Sequence, residues 1–195
     1  MTMRRLAVTS MLFVSFLSGC ATQYVIPEVS RPQSSGIGIK INVGALRQVY
    51  FARIDDEDGL LQRGVYISNY ISDDRAYFLN ARPGTYVAVG VLRLAGQNAR
   101  HTTYFSKEFV EFTKVTVREN EFVYMGSYVV DTSSGLDGAD GLQSHYRNVI
   151  GLNSSTSFHA RGTLSKRRND ETSRNEFLLR AKEDFAGSAW AERLK

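Results

Sequence analysis

From Gly36 onward the chain alternates. Ile37, Ile39, Ile41 and Val43 are spaced by Gly38, Lys40, Asn42 and Gly44. A period of two puts successive side chains on opposite faces of a strand, so a chain patterned this way must bury an apolar sheet face. The pattern recurs. Gln48–Ile54 is apolar on both faces and reads as a central strand. Gly64–Ile71 carries Val65, Ile67 and Ile71 on one side and Tyr66 and Tyr70 on the other. Arg75–Ala81 contains Tyr77, Phe78 and Leu79, and Thr85–Leu94 keeps Val87, Val89 and Val91 in step. Thr103–Phe112 holds Phe105 and Phe109 in phase. Lys114–Arg118 offers Val115 and Val117, and Phe122–Val130 returns with apolar residues on both faces. Turn chemistry separates the runs. Asp55–Gly59 is an acidic turn, Pro83-Gly84 presets a tight turn, and Glu119-Asn120-Glu121 reverses the chain.

No helical stretch long enough for a βαβ crossover lies between these runs. The expected fold is therefore mostly β: an antiparallel β-sandwich of about seven to nine strands over residues 37–170. Residues 132–144 are rich in Gly, Ser and Asp and read as a mobile loop. Phe158, Ala160, Gly162 and Leu164 suit a final strand, and 166–170 a polar turn.

Residues 171–195 change character. Ser173 with Glu176 three residues later fits a capping box, and Phe177, Leu178, Ala181 and Phe185 recur at helical spacing. Gly187 can end that amphipathic helix, and Ser188 can cap a last turn bearing Trp190 and Leu194. The helix is expected to pack on the sandwich. The alternative is a partner-binding helix with Trp190 as its contact.

The first twenty residues are of another kind. Arg4-Arg5 precedes the apolar run Leu6–Leu17, twelve positions that include Thr9, Ser10 and Ser15. Spanning a bilayer takes about 20 apolar residues, so the segment reads as a signal peptide. It closes on Leu17-Ser18-Gly19-Cys20, which resembles the lipobox of bacterial lipoproteins. The resemblance implies cleavage between Gly19 and Cys20 and a diacylglyceryl group on the Cys20 sulfur. It also implies that Ala21, in place of an aspartate, directs the protein to the outer membrane with its domain facing the periplasm. Residues 20–36, with Pro27, Pro32 and Ser34-Ser35-Gly36, then read as a lipidated N-terminus and flexible tether. Its fifteen residues from Ala21 to Ser35 reach roughly 50 Å when fully extended.

Charge and cysteine count exclude several classes. The formal net charge is +4, but Arg4 and Arg5 fall within residues 1–19; the remainder carries 22 basic and 20 acidic residues. A net charge of +2 gives no footprint for nucleic acid. Cys20 is the one cysteine, which rules out an internal disulfide and multi-cysteine metal cages.

Three segments carry a second resemblance. Gln48–Ile54 (QVYFARI), Ala81–Val91 (ARPGTYVAVGV) and Phe122–Val130 (FVYMGSYVV) resemble uncharacterised bacterial lipoproteins with small transthyretin-like or carboxypeptidase-regulatory-like β-sandwich domains. The likeness spans roughly residues 38–130. It implies a fold and brings no catalytic residues.

Chemistry-bearing residues are sparse. His101, His145 and His159 lie far apart and lack metal-ligand spacing, and there is no Gly-x-Ser-x-Gly elbow. Asp55–Gly59 and Asp137–Gly141 depart from the calcium-loop pattern. Arg161, Lys166, Arg167 and Arg168 form a basic run that could meet anionic headgroups. Tyr66, Tyr70, Tyr86 and Tyr128 could form a stacking face. The expectation is a non-catalytic binding or accessory module, with no catalytic residue, metal or cofactor beyond the lipid on Cys20. Its partners are a membrane, through that lipid, and another envelope protein. The alternatives are a small-ligand or lipid carrier with an internal apolar cavity, and an envelope hydrolase.

Overall fold

The structure, a computed structural model, describes residues 25–54, 59–61, 64–95, 99–151 and 158–194. The alternating runs become β1 (Ser35–Asn42), β2 (Ala45–Ile54), β3 (Tyr66–Ile67), β4 (Tyr70–Ser72), β5 (Arg75–Ala81), β6 (Gly84–Ala95), β7 (Ala99–Phe105), β8 (Val115–Val117), β9 (Phe122–Ser134) and β10 (Phe158–Arg168). All ten belong to one sheet, in the order β3-β2-β6-β7-β10-β9-β1-β5-β4, with β8 pairing the start of β6.

The protein is mostly β, as expected, but the sheet is mixed rather than antiparallel. β1 runs parallel to β9, with Ile37 opposite Val123, and β10 runs parallel to β7, with Phe158 opposite His101. Parallel neighbours need a long connection. Here the connections are not single helices. Seven strands separate β1 from β9, and strands with two short helices separate β7 from β10. The lack of a long helix therefore did not exclude parallel pairing.

The two end strands are consecutive in the chain. β3 pairs with β2 and β4 pairs with β5, and only Ser68-Asn69 lies between β3 and β4. Ser68 N–H donates to Val49 O, and Val49 N–H donates back to Ser68 Oγ at 2.9 Å. The Asn69 amide brackets Leu79, donating to its carbonyl and accepting from its N–H, both at 2.8 Å. One stretch of chain thus engages both ends of the sheet, and the expected two-sheet sandwich is a single curled sheet. Its concave side is filled by Ile37, Ile39, Ile41, Val49, Phe51, Val87, Val89, Val91 and Met125, all fully buried.

Two short helices break the expected pattern. The strand read as Thr103–Phe112 stops at Phe105. Ser106 then caps α1 (Lys107–Phe112), its Oγ accepting from Phe109 N–H. Phe105 and Phe109 are four apart, and their rings meet at 4.2 Å across that turn. The segment expected as a mobile loop over 132–144 gives 132–134 to the end of β9 and 141–144 to α2 (Gly141–Gly151), leaving 135–140 as the connection. α2 sends Leu142, Tyr146 and Ile150 into the main core.

The C-terminal helix α3 (Glu171–Asp184) covers the convex face. Phe177, Leu178 and Ala181, followed by Phe185, Trp190 and Leu194, pack on Tyr77, Leu79, Phe122 and Tyr124. Its cap is Asp170, not Ser173. Asp170 Oδ1 accepts from Ser173 N–H at 2.7 Å, and the Ser173 hydroxyl donates back to Asp170 O. Gly187, with φ +76, lies just beyond the helix end. The second face of β1 is therefore covered at Gly36 and Gly38, where a Cβ on Gly38 would lie 2.6 Å from the Phe177 ring, while Lys40 stays half-buried and Asn42 exposed.

Candidate functional site: the N-terminal strap and its cavity

Gly19, Cys20 and Ala21, the cleavage, lipidation and sorting residues, lie outside the described residues. The described chain starts at Val25, which is 85% exposed, and is fixed almost at once. Ile26 and Val29 pack against the cluster that contains Trp190. Pro27 and Pro32 have no N–H to offer a sheet; their carbonyls, still needing donors, are taken by side chains. Trp190 Nε1 donates to Pro27 O at 2.8 Å, and Arg193 Nη2 donates to Pro32 O at 3.1 Å. Arg193 Nη1 also donates to Ser34 O, and its guanidinium lies over the Trp190 ring, 5.3 Å from the centroid.

Asn80 grips the same segment from the other side. Its Nδ2 donates to Glu28 O, while its Oδ1 accepts from Ser30 N–H, both at 2.8 Å. Asn80 sits in the left-handed region at φ +65, which asparagine tolerates better than most residues. Residues 26–34 are thus a strap bound to the body, where the sequence suggested a flexible tether. Trp190 holds that strap and is 1% exposed, so it is an internal anchor and not an outward partner contact.

A surface cavity of about 770 Å³ opens beside the strap. Arg31 and Gln33 of the strap form one wall, and Asn80 and Arg82 at the β5–β6 turn form another. Arg53 and Glu119 complete the charged lining. A second surface groove of about 460 Å³ lies between α3 and the sheet, at Lys40, Lys166 and Arg168. Two of its bases are paired, Lys40 with Asp74 at 3.4 Å and Arg168 with Glu176 at 3.3 Å.

The remaining candidates are dispersed. His101 stacks on Phe158 at 4.8 Å. His159 Nδ1 shares a hydrogen bond with the Tyr104 hydroxyl at 2.9 Å, and burial, then Arg147, lowers its pKa. His145 meets Tyr146 edge-on within α2. No group of three or more His, Cys, Asp or Glu suited to a metal occurs among the described residues. The four tyrosines do not share a face. Tyr66 packs on Phe78 and Tyr86, Tyr70 on Tyr77 and Phe185, and the Tyr128 hydroxyl donates to Phe112 O and Met125 O. The basic residues are on β10 rather than in a turn, and Arg167 lies over the Phe112 ring at 4.6 Å. The Asp55–Asp58 run lies outside the described residues. In the second acidic loop, Asp140 serves as a helix cap: its Oδ1 accepts from Gln143 N–H and its Oδ2 from Lys107 N–H, each at 2.8 Å.

Asp184 is the most elaborately bonded carboxylate. It accepts from Ser72 Oγ at 2.6 Å, from Arg75 Nε at 2.7 Å and Nη2 at 3.0 Å, and from Tyr77 Oη at 2.5 Å. Burial raises its pKa, but the bonds from Arg75, Ser72 and Tyr77 outweigh burial and hold it below the usual carboxylate range. Burial, then the bond to Asp184, pushes the Tyr77 hydroxyl far up. The oxygens of Asp184 are taken by these four donors, so the cluster works as a tie between α3 and the sheet. The signal for it in the sequence was slight, because Arg75 and Asp184 are 109 positions apart.

Comparison of the chain with protein-family models, with curated proteins and with solved structures finds no match.

Proposed function

We propose that this chain is a lipid-anchored protein of the bacterial cell envelope, with residues 1–19 removed and Cys20 lipidated. Its domain acts as a non-catalytic binding or accessory module for another envelope component. The observation that carries the reading is Leu17-Ser18-Gly19-Cys20, set behind Arg4-Arg5 and a twelve-position apolar run. A thiol is the nucleophile that thioether formation needs, and small residues before it leave the backbone accessible to a peptidase. Two acyl chains on Cys20 would anchor durably where one would not.

The strap supports the reading. The chain is tied to the body from Ile26, and four residues lie between Cys20 and Val25, a span of five residue steps and a reach of about 17 Å. An anchor on so short a leash holds the domain close to the bilayer with the strap side towards it. By resemblance, Ala21 assigns that bilayer to the outer membrane.

Metabolic labelling tests the anchor. The full chain, expressed in a diderm bacterium with an alkyne analogue of palmitate, is expected to carry the label and to sediment with membranes. Cys20→Ala is expected to lose the label and accumulate as an uncleaved precursor. An unlabelled wild type, or label retained in Cys20→Ala, would overturn the reading. Ala21→Asp tests the sorting step, since the protein is then expected to move to the inner-membrane fraction of a density gradient.

A further inference from the structure

We propose that the cavity between the strap and the β5–β6 turn binds a phosphate group, carried by a membrane lipid headgroup or by a soluble ligand. Arg31 reaches it from the strap and Arg82 from the turn, and both residues are exposed. Neither makes an ion pair among the described residues. Glu119 is the one acidic residue of the described lining. Two guanidiniums facing one acid leave an excess of donors, and a guanidinium has no acceptor with which to satisfy itself.

The cavity walls are held in place. Asn80 fixes the strap through the Glu28 carbonyl and Ser30 N–H. Arg53 lies across Gly84, its Nε 2.6 Å from where a Cβ would stand, so any larger residue there would displace it. Arg53 is half-buried against Gly84, so the exposed guanidiniums of the lining are Arg31 and Arg82. Planar forks contributed by two separate segments match the several oxygens of a tetrahedral anion better than the two of a carboxylate. About 770 Å³ also leaves room for the group that bears the phosphate. In the groove beside α3, Lys40, Arg75, Arg168 and Arg180 are already paired with Asp74, Asp184, Glu176 and Glu183, which leaves only Lys166 without an ion pair among the described residues.

The strap that walls the cavity leads directly back to Cys20. On the anchoring reading the cavity therefore faces lipid phosphates; binding of a soluble phosphate does not depend on that reading. The test uses the full chain in a neutral detergent at fixed ionic strength. Calorimetry with inorganic phosphate forms one arm. Dihexanoylphosphatidylglycerol, with dihexanoylphosphatidylcholine beside it, forms the other. Saturable binding of either phosphate or phosphatidylglycerol is expected, weakened at least tenfold in Arg31→Gln/Arg82→Gln. Arg180→Gln, a surface charge change on α3, is expected to bind as the wild type does. Phosphatidylglycerol tighter than inorganic phosphate identifies a lipid headgroup, and the reverse identifies a soluble ligand. No saturable binding of any probe, or binding unchanged in the double variant, overturns the proposal. Both arginines are exposed, so the double variant is expected to melt near the wild type, which separates lost binding from lost folding. An unlipidated Cys20 would leave the inorganic-phosphate result untouched.

Discussion

Arg75 and Asp184 form a two-pronged pair, with Nε at 2.7 Å and Nη2 at 3.0 Å from the two carboxylate oxygens. Their side chains are 12% and 8% exposed. The pair joins the first residue of β5 to the last residue of α3, and Tyr77 and Ser72 complete the shell around the carboxylate. Removing Asp184 leaves the largely buried Arg75 only the longer ion pairs with Asp73 and Asp74, at 3.5 and 3.8 Å. Asp184→Ala is expected to cost about 3 kcal/mol in urea unfolding.

The same carboxylate sets a pH dependence. Its folded pKa lies below the unfolded value of about 3.9. The contribution is therefore fully present above that pH and is lost as pH falls through the folded value. Asp184→Asn is expected to flatten the stability curve below about pH 4 relative to the wild type. Identical acid limbs for the two proteins would show that Asp184 does not hold the tie.

Gly38 is where the sheet admits its helix. A Cβ there would stand 2.6 Å from two atoms of the Phe177 ring and 2.9 Å from Phe122. Gly38→Ala is expected to destabilise by roughly 1–3 kcal/mol, the usual cost of overpacking. Phe177→Leu removes the ring that the new methyl meets. The double variant is therefore expected to be less destabilised than the sum of the two single changes. Strict additivity would mean that the helix sits further from β1.

These residues also show what the sequence could and could not reveal. Ile37, Ile39 and Ile41 declare a buried face through their spacing alone, and Phe177, Ala181 and Phe185 declare a helix. Gly36 and Gly38 carry no apolar side chain to announce a second packed face on β1, and that absence is what lets the helix aromatics approach. Parallel pairing of β1 with β9 leaves no local mark, since the partner is fixed by the whole fold. The strap was misread because two prolines and two serines are loop chemistry; what binds them, Asn80, Trp190 and Arg193, lies far along the chain. α2 did leave a signal. Asp140 and Gln143 form a capping box, followed by Leu142, Tyr146 and Ile150 at four-residue intervals.

Asp140 serves two helix starts with one carboxylate, capping α2 through Gln143 N–H and taking the Lys107 N–H of α1, whose own cap is Ser106. Losing an N-cap costs about 1 kcal/mol, so Asp140→Ala is expected to cost more than a single cap, about 2 kcal/mol. Asp140→Asn keeps one of the two accepting oxygens and is expected to fall between. A thermal melt of the three proteins checks the order. Equal stability of Asn and wild type would mean that one of the two caps contributes nothing.

The strap supplies the last prediction, and its reporter is built in. Ser30 N–H donates to the Asn80 side chain and to no backbone carbonyl, so its exchange with deuterium reads that side chain directly. Asn80→Ala would confuse two effects, since alanine is strained at φ +65. Asn80→Gly tolerates the positive φ and removes the side chain that grips the strap. Exchange at Ser30 is therefore expected to rise at least tenfold in Asn80→Gly, while exchange in β1 beyond Ser35 stays as in the wild type. Trp190→Phe keeps an aromatic ring but deletes the bond to Pro27 O and leaves space where the indole stood, at a cost of at least about 1 kcal/mol. It is expected to loosen Glu28 and Val29 in the same way. If both variants exchange like the wild type throughout residues 28–34, the strap is not held by these side chains. The chain between Cys20 and β1 would then have its full extended reach of roughly 50 Å, and the domain would stand off the membrane rather than against it.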